Sequence, residues 1–131
     1  MRVLAFEDIY DIEAMFVSAG IDLSDVTFQQ RWDSSDALEH IESFNPDVLL
    51  LDHFMPPFSG YEVLEELLES TVIRPNIIVA MSSEHSRNQA MVELGANYGT
   101  IKFNVTELGF WPVHSSSYGC QSVWPSSLYH Q

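Results

Sequence analysis

Pro46-Asp47-Val48-Leu49-Leu50-Leu51-Asp52-His53-Phe54-Met55-Pro56-Pro57-Phe58-Ser59-Gly60 is the stretch that decides how this chain is read. Four consecutive apolar residues, Val48 to Leu51, run into a carboxylate and then a Pro-Pro turn. A short unbroken apolar run between breakers suits a strand buried on both faces, as in a parallel sheet. Asp52 then stands at the carboxyl end of a central strand, the edge where open α/β sheets bind ligands. An ionised carboxylate there is costly to leave unpaired, so it needs a cation, a hydrogen-bond network or a reaction.

Upstream, Arg2 to Phe6 reads as a first strand that ends in Glu7-Asp8. Ile9, Ile12, Phe16 and Ala19 then recur at helical spacing, and Gly20 stops that helix. Thr27 to Arg31 reads as a weaker strand. Ser34 or Ser35 is expected to cap a helix carrying Leu38, Ile41 and Phe44, before Asn45-Pro46 breaks it. Downstream, Ser59 caps the next helix with Glu62 as its capping-box partner. Asn76 to Met81 is a further buried strand, ending in Ser82-Ser83. The helix after it is expected to run from Ser86 to Leu94, to bury Ala90, Met91 and Leu94, and to end at Gly95. Tyr98 to Ile101 makes a last strand leading into Lys102, the only lysine of the chain.

This alternation predicts an α/β fold: a doubly wound five-stranded parallel sheet with helices on both faces. Right-handed crossovers leave few arrangements, of which the order 2-1-3-4-5 is a common one. In that order Glu7, Asp8 and Asp52 surround one crevice, with Ser82 and Lys102 on neighbouring strand ends. After Lys102 the pattern fails, because Gly109 and Pro112 cut short any helix begun at Asn104 to Leu108. The reading is one domain over residues 1–108 and an atypical C-terminal tail over 109–131, with the fifth helix altered or missing.

A length of 131 residues fits one core, and the net charge of −14 argues against nucleic-acid backbones and anionic membranes as partners. No uncharged apolar run approaches the ~20 residues of a membrane span, and the N-terminus lacks a basic-then-apolar leader pattern. The single cysteine, Cys120, cannot form an internal disulfide, which fits a reducing cytosol.

Three carboxylates converging on one crevice repel one another, and a divalent cation relieves the repulsion. All-oxygen ligation with few carboxylates suits Mg²⁺, which favours a phosphate partner. A lysine adds a second positive point for a phosphoryl group, and a serine hydroxyl can donate to the same oxygens. Together these groups make an aspartyl-phosphate site.

Glu7-Asp8, then Asp52 followed by Met55-Pro56 and Gly60, then Ser82 (with Ser83 as runner-up), then Gly95-Ala96 and Lys102, form an ordered set. Over residues 1–103 the chain resembles the receiver domain of two-component response regulators, a flavodoxin-like phosphoacceptor. The resemblance implies that Asp52 accepts a phosphoryl group from a sensor histidine kinase or a histidine phosphotransfer protein. It implies Mg²⁺ held by Asp8, Asp52 and the Phe54 carbonyl, with Glu7 acting through water. Lys102 would pair with the phosphoryl oxygens, or with Asp52 beforehand, and Ser82 would swing toward the phosphate. A cytoplasmic phosphoprotein is implied, one that switches a surface for a downstream protein target or for a second copy in a dimer. It would not be an enzyme turning over an external substrate.

Two residues depart from the family pattern. Phe103 follows the lysine where the family has proline, so a trans peptide is expected there. Gly99 occupies the place of the aromatic switch residue. A non-phosphorylated pseudo-receiver acting as a binding module is the rival reading. A haloacid dehalogenase-like phosphatase would need a second aspartate where Phe54 stands. Strand alternation aims His53 away from Asp52. Trp111 and Trp124 either pack on the sheet or form a docking patch.

Overall fold

Strands β1 (Arg2–Phe6), β2 (Thr27–Arg31), β3 (Val48–Leu51), β4 (Ile77–Ala80) and β5 (Tyr98–Gly99) form one parallel sheet in the order β2-β1-β3-β4-β5. A computed structural model describes residues 1–114; the expectations for Cys120, Trp124 and the rest of the tail lie outside them. Helices α1 (Ile12–Ser18), α2 (Ala37–Phe44), α3 (Gly60–Glu69) and α4 (His85–Leu94) connect the strands, and a 3-10 segment, Lys102–Glu107, follows β5. The sequence-predicted fold is therefore the observed one. Among the described residues no helix is long and apolar enough to cross a membrane.

Two apolar layers sandwich the sheet, because alternate residues of each central strand face opposite ways. Leu4, Phe6, Leu49, Leu51, Ile78 and Ala80 join α2, α3 and α4 on one side. Val3, Ala5, Val48, Leu50, Val79 and Met81 join α1 on the other. That second layer is completed by Val105 of the 3-10 segment and by Trp111 instead of a regular fifth helix. Trp111 is buried, meets Phe16 edge-on at 4.6 Å between centroids, and donates its indole N–H to the Val105 carbonyl at 2.8 Å. Of the two roles open to this tryptophan, packing is the one realised. The irregular segment that carries it is pinned beside α1, where Asp22 N–H donates to the Pro112 carbonyl at 2.8 Å and Ile21 bridges Val113.

Local structure differs from expectation at four places. Ile9 is exposed and outside α1, because the Glu7 carboxylate takes the N–H groups of Ile9 and Tyr10 and turns the chain first. The helix starts after Asp11, whose carboxylate caps Ala14 N–H at 3.0 Å. Neither Ser34 nor Ser35 caps α2, which starts after Asp36 in a left-handed conformation. Ser34 is instead buried under the β3–α3 loop, its hydroxyl donating to the Phe58 carbonyl and accepting from Phe58 N–H, both at 2.7 Å. In α4 the buried residues are Asn88 and Met91, while Ala90 and Leu94 are half-buried. Strand β5 ends at Gly99, since Thr100 N–H makes the last bond to Ala80 and the 3-10 turn begins at Lys102.

The capping box of α3 forms as expected, with Ser59 and Glu62 exchanging bonds of 3.1 and 2.9 Å. Gly60 opens that helix directly against the end of β3. A Cβ there would lie 2.9 Å from the Asp52 carbonyl carbon and 3.1 Å from His53 Cα. Only glycine lets α3 approach Asp52 so closely.

Candidate functional site

All five strands end at one rim, and the ladder register carries Phe6, Leu51 and Ala80 to the same level. The residues just beyond are Glu7, Asp52 and the Met81-Ser82 pair. Asp52 continues β3 through its N–H, which donates to the Phe6 carbonyl at 3.1 Å, and is almost fully buried. Glu7, Asp8 and Asp52 each offer a carboxylate oxygen, and the three lie within 4.8 Å of one another. Lys102 reaches into this cluster, its Nζ 2.9 Å from Glu7 Oε1 and 3.5 Å from Asp52 Oδ2. Each of the residues singled out from the sequence as acidic or basic therefore stands at one place, the lysine nearer to Glu7 than to Asp52. The trans peptide at Lys102-Phe103 does not keep the lysine from the site.

Burial pushes the Asp52 carboxyl up to about 6; Lys102 opposes that rise and the neighbouring Glu7 adds to it. For Lys102 burial works against the charge, but hydrogen bonding to Glu7 and the field of Asp52 outweigh it and raise the ammonium above its usual range. Glu7 is committed on both sides, with Oε2 accepting the N–H groups of Ile9 and Tyr10 at 3.0 Å each and Oε1 facing Lys102. Asp8 Oδ1 and Asp52 Oδ1 are buried and have no hydrogen-bond partner among the described residues. Clustered carboxylates that each keep an orphaned buried oxygen fit a cation with oxygen ligands.

Ser82 is fully buried at the end of β4, its hydroxyl oxygen accepting from Glu84 N–H at 3.1 Å in a local turn. Ser83, the runner-up, is exposed. The Phe54 side chain is exposed on the loop after Asp52, and Arg87 sits 5.9 Å above its ring. His53 packs edge-on against Phe54 at 4.8 Å, and burial together with the Arg87 charge holds its imidazole below the usual range. Its imidazole makes no hydrogen bond to the Asp52 carboxylate, in keeping with strand alternation, and only the His53 backbone bears on that group.

Three contributors are not among those singled out from the sequence. Gln30 of β2 braces the loop that carries the acidic pair, donating to the Glu7 and Tyr10 carbonyls at 3.0 and 2.8 Å and accepting Ile12 N–H at 2.9 Å. Tyr10 covers Lys102, whose Nζ lies 5.3 Å from the ring centroid, and stacks edge-on with Phe103 at 5.1 Å. Asn88 of α4 grips the Ser82 backbone. A polar residue in an edge strand is the single hint available for Gln30.

Comparison with known proteins gives a consistent result. A family model described as "Response regulator receiver domain" matches residues 3–105. The transcriptional regulatory protein CiaR of Streptococcus pneumoniae is 30% identical over 109 residues, covering 82% of this chain and 48% of that protein. The alkaline phosphatase synthesis transcriptional regulatory protein PhoP of Bacillus subtilis is 30% identical over 77 residues, 58% of this chain and 32% of its own length. The chain thus spans half or less of the curated relatives it matches. Among solved structures, the response regulator domain of Thermotoga maritima CheB aligns with a TM-score of 0.63 at 24% identity, covering 78% of each chain. The phosphorylated cyanobacterial phytochrome response regulator RcpA aligns with a TM-score of 0.64 at 18% identity, covering 80% of this chain and 87% of the other. At these identities the structures share the fold.

Proposed function

The chain belongs to the response regulator receiver domain family, a signalling domain of two-component systems, and on that premise we propose that Asp52 is its phosphoacceptor. One observation carries the assignment. Asp52 is the buried carboxylate at the end of the central strand, with one oxygen toward Lys102 and the other unpartnered. Glu7 and Asp8 approach Asp52 closely, and a Mg²⁺ ion would be held by Asp8, Asp52 and the Phe54 carbonyl, with Glu7 through water. When bound, the ion would screen the acids and neutralise charge on an incoming phosphoryl group.

This chain's own residues do the rest. A carboxylate oxygen of Asp52 attacks the phosphorus of a phosphohistidine. The P–N bond breaks, an acyl phosphate forms on Asp52, and the departing imidazole takes up a proton. Lys102 answers the phosphoryl charge from one side, and the Ser82 hydroxyl, released from its turn, donates from another. The donor is a sensor histidine kinase or a histidine phosphotransfer protein. The output is a changed surface for a downstream protein target or a second copy, with the net charge of −14 opposing nucleic acid as the partner of this segment. A cytoplasmic setting suits that role. The receiver extends past residue 108, since Trp111 packs into the α1 side of its core and Val113 bridges Ile21 there.

Incubation with acetyl phosphate and Mg²⁺, followed by intact mass, tests the assignment. The wild type is expected to gain one phosphoryl mass and Asp52→Asn none. A wild type that stays unmodified under conditions where it binds Mg²⁺ would leave a pseudo-receiver.

A further inference from the structure

Asn88 lies on α4, outside the carboxylate cluster, yet it is 1% exposed and spends its whole amide on backbone. Its Oδ1 accepts Ser82 N–H at 2.7 Å. Its Nδ2 donates to the Ser82 carbonyl and to the Thr100 carbonyl, both at 2.9 Å. One amide thus closes a ring with Ser82 and bridges to the segment that leads into Lys102. The orientation is fixed by chemistry: turned over, the NH₂ would face an N–H and the oxygen would face two carbonyls.

The strand beside it is shaped for this contact. A Cβ on Gly99 would lie 3.0 Å from Val92 Cγ2, 3.2 Å from Asn88 Cβ and 3.3 Å from the Asn88 carbonyl. Helix α4 therefore rests on bare β5 backbone, and no side chain at Gly99 can act as a lever between the rim and the helix. A movement of the Ser82 backbone toward Asp52 has two forms. It carries Asn88 and the start of α4 along, or it breaks two buried hydrogen bonds.

We propose that Asn88 is a positioning residue that sets Ser82 against the phosphoacceptor and transmits its movement to α4 and to the Lys102 segment. The role rests on Asp52 being the phosphoacceptor. Its effect on Asp52 runs through Ser82, since Asn88 makes no hydrogen bond to any of the three carboxylates, while its bond to the Thr100 carbonyl carries the movement outward.

The test compares initial phosphorylation rates from acetyl phosphate, read by intact mass, with Mg²⁺ affinity read by titration calorimetry. Asn88→Ala is expected to slow phosphorylation about tenfold or more while Mg²⁺ affinity stays at the wild-type value. Asn88→Asp keeps the size of the side chain and the bond from Ser82 N–H, but sets an oxygen against two carbonyls. It is expected to show the same loss, which a cavity cannot explain. Ser82→Ala and the double variant Ser82→Ala/Asn88→Ala should match each other, because removing the hydroxyl leaves Asn88 nothing to position. Gly99→Ala pushes on the same contact from β5, keeps Asn88 itself, and should slow the reaction in the same direction by a smaller factor. Folded Asn88 variants at wild-type rate, or losses that multiply in the double variant, overturn the role of Asn88 and leave Asp52 as acceptor. A wild type that takes up no phosphate overturns both.

Discussion

Replacing Asp52 by asparagine should make the metal-free protein more stable near neutral pH, although it removes half of an ion pair. Burial raises the Asp52 carboxyl from 3.8 to about 6, so its ionised form costs the folded state up to about 3 kcal/mol at neutral pH. The sign follows from proton linkage. A folded-state value above the unfolded one means the folded protein holds the proton more tightly between about pH 4 and pH 6. Stability therefore falls as pH rises through about 6, and an amide at position 52 escapes that loss. Lys102 is not orphaned by the change, because Glu7 remains 2.9 Å from its ammonium. A gain of about 1–3 kcal/mol is expected, or roughly 4–12 °C in melting temperature for a domain of this size. The assay is a pair of thermal melts followed by circular dichroism across a pH series, each with and without Mg²⁺. The gap between the proteins should shrink as pH drops from neutral toward about 4. His53, whose lowered value makes its protonation costly in the folded state, is common to both and cancels in the difference. Saturating Mg²⁺ should stabilise the wild type by about 2–3 kcal/mol and the variant by much less. A metal-free Asp52→Asn protein less stable than wild type at neutral pH, or a gap that widens in acid, refutes the reasoning.

Lys102→Met keeps the bulk of the side chain but leaves three acids without their cation, and should cost about 3–5 kcal/mol at neutral pH in urea unfolding. Mg²⁺ or mild acid should restore part of the loss, whereas a loss independent of both would point to packing instead. Gly60→Ala forces a methyl toward the Asp52 carbonyl carbon, 2.9 Å away, so the loop that follows β3 must shift. It should cost about 1–3 kcal/mol and weaken Mg²⁺ binding measured by calorimetry, while wild-type values for both would show that α3 can simply move aside.

The parts of the site visible in the sequence are those set by local rules. Val48 to Leu51 reads as a buried strand because nothing polar interrupts it, and the capping box of Ser59 and Glu62 involves residues three apart. Handedness then leaves few strand orders, and the common one observed, 2-1-3-4-5, carries Glu7, Asp8, Asp52, Ser82 and Lys102 to one rim. What stays hidden depends on partners distant in sequence. Ser34 resembles a helix cap, but its hydroxyl serves Phe58, 24 residues away. Asn88 looks like an ordinary polar residue in α4, a helix that buries one apolar side chain, Met91, and so shows little periodicity. Its grip on Thr100 is a tertiary fact. Trp111 sits in an irregular segment, and its place was settled by Phe16 and Val105, neither of them its neighbour in the chain.

The rim also obeys a stoichiometry of charge. With Glu7, Asp8 and Asp52 ionised against a single Lys102, it lacks two positive charges, so a divalent occupant brings it to electroneutrality where a monovalent one falls short. The proposed conversion of the Asp52 carboxylate into an acyl phosphate would then exchange one negative charge for roughly −1.5 to −2. The residual imbalance is at most about one charge. Dipoles rather than another ion can absorb it, and the Ser82 hydroxyl is the dipole within the same set of strand ends.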